Sequence, residues 1–170
     1  NKELYEKAVG MAGLVNAWYN IITFVVAFLL VGFARKYSPK WVHFVCVALA
    51  GIGFMVFPFI ENKTFLFVAI SGFGIGWASM MGIPYLMVVN QIPKERYGVY
   101  MGVINMMIVI PMFIQTITFG FILKRFLNND PRQAVFFAGV LLLLAAFFVI
   151  FIKTKKPTGD IQLPAPSPGH

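Results

Sequence analysis

Asn16, Asn20 and Thr23 are spaced four and three residues apart in an otherwise uncharged stretch, with Tyr19 beside them. In a helix that spacing holds them on one face. Two amides and a phenol on one stripe can hydrogen-bond a polyhydroxylated solute. The same groups can instead bond to a neighbouring helix, at about 0.6 kcal/mol on average inside a membrane. A second stripe, Trp77, Met81 and Tyr85, carries two aromatic rings with polar tips that need partners. It suits either a lumen or helix packing. In a third, Asn105 and Thr116 share nearly one face, with Gln115 to its side. Pro84 and Pro111 stand among these residues, and a mid-helix proline removes a backbone hydrogen bond and allows bending.

The elements carrying these stripes are long and oily. Ala8–Ala34, Trp41–Ile60, Thr64–Pro93, Tyr97–Leu123 and Gln133–Ile152 contain no Asp, Glu, Lys or Arg. About 20 apolar residues in a helix cross a hydrocarbon core about 30 Å thick. Lipid offers no partner for a free backbone N–H or C=O, so these spans must be helical. An all-α transmembrane fold with five membrane-spanning helices follows, with the lipid bilayer as its solvent. Composition agrees: 59% of residues are hydrophobic and 12% charged, against roughly 25% charged in soluble domains. The net charge of +8 is spread over loops and ends and forms no continuous patch with interleaved aromatics, which argues against nucleic acid. Gly72 and Gly76, and Gly74, Ala78 and Gly82, are small-xxx-small pairs that let helix backbones approach closely, and Gly102 is assigned the same packing role. The Gly72–Gly76 run has no βαβ setting and is not a nucleotide loop.

No acidic residue lies inside a span, so no buried proton-binding carboxylate is expected in this chain. There is no His-Glu-x-x-His, Ser/His/Asp set or paired acids, and an enzyme is not expected. A single cysteine, Cys46, and a lone His43 near the end of the second span give no metal site, and no cofactor is expected. His43 reads as an interfacial residue.

Short gaps between spans make consecutive helices antiparallel. One side then holds Arg35, Lys36, Lys40, Lys94, Arg96, Lys153, Lys155 and Lys156, and the other Lys2, Lys7, Lys63, Lys124, Arg125 and Arg132. The richer side is assigned to the cytoplasm, which puts the N-terminus of the chain outside. The Pro-rich stretch 157–170 reads as a disordered cytoplasmic tail. The start at Asn1, without a signal pattern, suggests a processed chain or a piece of a longer one.

Several of these residues together resemble a known family. Gly76-Trp77-Ala78-Ser79, Pro84-Tyr85, Gly98-Val99-Tyr100-Met101-Gly102, Asn105 and Ile108-Val109-Ile110-Pro111, with Tyr19-Asn20, look like the C-terminal half of disaccharide–proton symporters. These are the sucrose/maltose-type, glycoside–pentoside–hexuronide-like carriers of the major facilitator superfamily. Gly32-Phe33-Ala34-Arg35-Lys36-Tyr37, with Lys40, resembles a degenerate cytoplasmic loop motif, and Pro93-Lys94-Glu95-Arg96 the loop two helices later. One departure is Met112 after Pro111, where many relatives carry glutamine; Gln115 stands a turn on. The resemblance covers roughly residues 1–156. It implies the C-terminal part of a twelve-helix fold, with helix seven and the N-terminal half missing. It further implies a plasma (bacterial inner) membrane location and alternating access, with a sugar and H+ or Na+ as cargo. The path-lining residues would be Asn16, Tyr19, Asn20, Trp77, Tyr85, Asn105 and Gln115, with Pro84 and Pro111 bending the helices. A non-transporting scaffold and a small-molecule exporter are the rival readings.

Overall fold

A computed structural model of the chain describes residues 2–89 and 91–153. The tail expected over 157–170 lies outside the described residues. Five helices carry the fold: α1 (Lys2–Lys36), α2 (Pro39–Val56), α3 (Lys63–Val89), α4 (Tyr97–Arg125) and α5 (Pro131–Val149). Short 3₁₀ turns follow α2 at Phe57–Phe59 and precede α4 at Lys94–Arg96. Among the described residues there is no strand, and all five helices are long and apolar enough to cross a membrane.

Local chemistry sets the ends. Pro39 and Pro131 open α2 and α5, where a missing N–H costs nothing. The Asp130 carboxylate accepts from the Arg132 backbone N–H at 2.8 Å and so caps α5. Asn128 and Asn129 take positive φ, 49° and 56°, in the tight α4–α5 turn, a conformation that asparagine tolerates better than most side chains. The first two turns of α1 carry exposed i,i+4 pairs, Lys2–Glu6 and Lys7–Glu3, suited to water.

The helices form a row. α1 packs on α3, α3 on α2, and α2 on α5, while α4 meets the row chiefly at α3. Small residues let the row close. A Cβ built on Gly72 would lie 2.6 Å from the Leu49 carbonyl oxygen, and one on Gly53 would collide with that of Ala69. A Cβ on Gly76 would meet the Ala50 methyl at 2.5 Å, and one on Gly74 the Tyr19 carbonyl oxygen at 2.8 Å. On the other flank of α2, a Cβ on Gly139 would lie 2.7 Å from the Met55 nitrogen. By contrast, nothing stands within 4 Å of a Cβ on Gly82, Gly102 or Gly32. Backbone-to-backbone approach of this kind replaces the hydrophobic drive that lipid removes.

Candidate functional site

α1 sits on α3 through polar and aromatic contacts that also shape an open face. The Trp18 indole donates to Ser71 Oγ at 2.9 Å, and Ser71 in turn donates to the Phe67 carbonyl at 2.6 Å. Thr23 Oγ1 reaches two carbonyls, Tyr19 at 2.8 Å on its own helix and Gly74 at 3.1 Å on α3. That contact turns the Thr23 hydroxyl into the helix seam. Asn16 and Asn20 stay exposed at the flank of the seam. Asn20 Nδ2 donates to the Asn16 backbone carbonyl at 2.7 Å, which leaves its Oδ1 open. The Asn16 carboxamide has no side-chain hydrogen bond among the described residues.

Aromatic rings extend the same surface across three helices. Tyr19 meets Phe73 edge-on at 5.4 Å between centroids, and Phe73 stacks on Phe54 of α2 at 4.6 Å and 16°. Trp77 tilts against Phe73 at 5.8 Å and remains 40% exposed. The result is a shelf of Tyr19, Phe73, Phe54 and Trp77 with two exposed amides beside its α1 end. Trp77 lies two helical turns, about 12 Å, before Tyr85 along α3.

α3 and α4 part at a second polar contact. The Tyr85 hydroxyl donates to Asn105 Oδ1 at 2.5 Å. The Asn105 NH2 group keeps its two donors for another partner. Ile104 is the buried residue of α4, and past this point the helix exposes Met106, Met107, Val109 and Ile110. Pro84 and Pro111 lie inside otherwise continuous helices, one residue before Tyr85 and six after Asn105. Gln115 stands apart, about 15 Å further along α4, and Thr116 spends its hydroxyl on its own helix at the Met112 carbonyl, 2.9 Å away. The structure therefore joins Tyr19 to Trp77 through Phe73, and Tyr85 directly to Asn105, and leaves Gln115 outside both groups.

At the other end of the row, Lys40 donates to the Ile150 carbonyl at 2.6 Å, so a loop-motif cation caps the last turn before the chain leaves α5. Lys36 lies over the Tyr37 ring and Lys40 over that of Trp41. Arg96 and Gly32 are exposed at the ends of their helices.

Position near a helix end made His43 read as interfacial, yet it is buried. It is 9% exposed, and its Nδ1 shares a hydrogen bond of 2.8 Å with Ser79 Oγ, which is 0% exposed. Sequence spacing could not pair His43 with Ser79, because the pairing depends on how α2 rotates against α3. Removing the hydroxyl with Ser79→Ala strands the imidazole nitrogen and is expected to lower stability by about 1 kcal/mol. The double variant Ser79→Ala/His43→Leu should recover much of the loss in thermal unfolding of the purified protein. Additive losses would show that the pair does not interact.

A row of five helices long and apolar enough to cross a membrane defines a polytopic helical membrane protein. Residues 4–168 match the family model of the Major Facilitator Superfamily, and the chain belongs to that superfamily. Its members are transporters rather than enzymes. No curated protein and no solved structure matches the chain at a significant level.

Proposed function

We propose that the chain is the C-terminal portion of a secondary active transporter that moves a disaccharide or related glycoside with a coupled cation by alternating access. The observation that carries this reading is the aromatic shelf of half-buried Tyr19 and Phe73 and exposed Trp77, with the exposed Asn16 and Asn20 amides beside it. A pyranose has an apolar C–H face and a rim of hydroxyls. Rings satisfy the first and carboxamides the second, and pockets for such ligands combine apolar walls with a few placed polar groups. The family resemblance of the Gly76–Ser79, Pro84-Tyr85 and Gly98–Pro111 segments supports the same cargo class.

In this reading the helices correspond to the eighth through twelfth of a twelve-helix carrier, and the solute binds near the midplane between the two halves. No carboxylate stands in the five uncharged spans, so an acidic residue of the N-terminal half would carry the coupling H+. Gly32, Arg35, Lys36, Lys40 and Arg96 would form the cytoplasmic loops, with the N-terminus of this chain on the outer side. Pro84 and Pro111 would supply the bending, and Gly72, Gly74 and Gly76 the close packing. An exporter of apolar drugs fits less well, because amides border the shelf.

The test is uptake of a panel of labelled glycosides by cells expressing the full-length parent, with and without an imposed pH gradient. Gradient-dependent accumulation of at least one disaccharide is expected. Failure of every sugar to accumulate, together with no sugar raising the unfolding temperature of the purified parent, would favour the scaffold reading instead.

A further inference from the structure

The far end of the row from the aromatic shelf contains a second recess, independent of the transport reading. It has a volume of about 440 Å³ and lies between the turn after α2 and the start of α5. Phe59, Phe136, Phe137 and Val140 line it, and Asp130 and Arg132 stand at its mouth. Phe59 and Phe136 meet edge-on at 6.0 Å, which holds one wall of the opening in shape. The size falls within the range of ligand pockets, roughly 300–1,000 Å³.

Its polarity is ordered by depth. α5 begins at Pro131, so Arg132 sits in the first helical turn and Val140 about 12 Å further in along the helix. The mouth is therefore at the membrane–water boundary and the floor is in hydrocarbon. The mouth also carries a cation that an anion can meet. The Asp130 carboxylate is engaged on the Arg132 backbone N–H, at the positive end of the α5 dipole. The Arg132 guanidinium is exposed and forms no ion pair among the described residues. The two gaps at this end carry Lys63, Lys124, Arg125 and Arg132 along with Glu61 and Asp130, four cations to two acids.

We propose that this recess holds one glycerophospholipid of the adjoining leaflet, with its phosphate on Arg132 and an acyl chain against Phe136, Phe137 and Val140. Guanidinium and phosphate match in a bidentate geometry that a neutral headgroup lacks. The phosphate stands at the level of the first turn of α5, and the chain descends the way the apolar lining does. A lipid seated there would brace the α2–α5 contact where α2 gives way to its 3₁₀ turn.

Native mass spectrometry of the purified full-length protein, titrated with palmitoyl-oleoyl phosphatidylglycerol, tests the assignment. The wild type should retain one lipid more tightly than the rest. Arg132→Gln should weaken that retention about tenfold, the scale of one lost charge-assisted bond pair. Val140→Trp, which fills the floor without touching charge, should weaken it as well. Arg125→Gln, outside the recess, should leave it unchanged. Equal retention of a diacylglycerol with the same chains would overturn the phosphate contact. Retention unaffected by both Arg132→Gln and Val140→Trp, or weakened equally by Arg125→Gln, would overturn the site.

Discussion

Gly53→Val and Gly72→Val are each expected to prevent the protein from accumulating in a folded form. The two positions face each other across the α2–α3 seam. A Cβ on Gly72 points at the Leu49 carbonyl oxygen at 2.6 Å, and a Cβ on Gly53 points at the Ala69 carbonyl oxygen. Backbone cannot rotate out of the way as the end of a side chain can, so the helices must separate. Overpacking in a close-packed interior costs about 1–3 kcal/mol, and valine adds three carbons where one is already too many. A loss of about 3 kcal/mol changes the folded-to-unfolded ratio more than a hundredfold. Separation would also pull apart the His43–Ser79 pair, which spans the same two helices. Thermal unfolding of the purified protein, with membrane abundance alongside, reads the effect. Gly72→Ala and Gly82→Ala make the matched comparison, since nothing lies within 4 Å of the carbon added at Gly82 and stability there should hardly change. Equal losses at Gly72 and Gly82 would mean that glycine flexibility, and not the seam, matters at these positions.

That contrast shows what could be read from the sequence and what could not. Charge-free stretches of 20 residues and more define the five helices, because lipid admits few alternatives to a helix. The short basic and proline-bearing gaps fix where those helices turn, as at Pro39 and Pro131. Spacing alone also selects Tyr19, Trp77, Tyr85 and Asn105, since a polar tip in an apolar span requires a partner. It cannot select the partner. Phe73 and Phe54 read as ordinary apolar residues, yet they make the shelf continuous from α1 to α2. Gly74 and Gly82 belong to one small-residue series, yet only Gly74 faces a neighbour among the described residues. Gly53 and Gly139 lie outside those α3 series and still mark tight approaches. Helix rotation about its own axis decides each of these cases. A uniformly apolar helix carries little signal for that rotation, because lipid and protein neighbours are equally greasy.

On the proposed carrier reading, replacing Asn105 with leucine in the full-length parent is expected to lower glycoside uptake by about tenfold at unchanged surface level, and Asn20→Leu to do the same. A neutral hydrogen bond contributes about 1 kcal/mol net and rather more where one partner is left stranded, which corresponds to five- to tenfold in affinity. Asn105 has two possible tasks, and a third variant separates them. Its Oδ1 accepts from the Tyr85 hydroxyl, which ties α4 to α3 where the two helices part. Its NH2 group is left to meet a solute hydroxyl. Tyr85→Phe removes the tie and preserves the amide. If the amide serves the solute, Asn105→Leu raises KM for the sugar strongly while Tyr85→Phe raises it little. If the amide only holds α4, the two variants lose thermal stability and uptake in parallel, with maximal rate rather than KM affected. Asn20 supplies an independent check, because among the described residues its Nδ2 donates within α1, to the Asn16 carbonyl, and not across a helix seam. A normal KM for both leucine variants would remove the amides from the solute path and leave the aromatic shelf without its polar half.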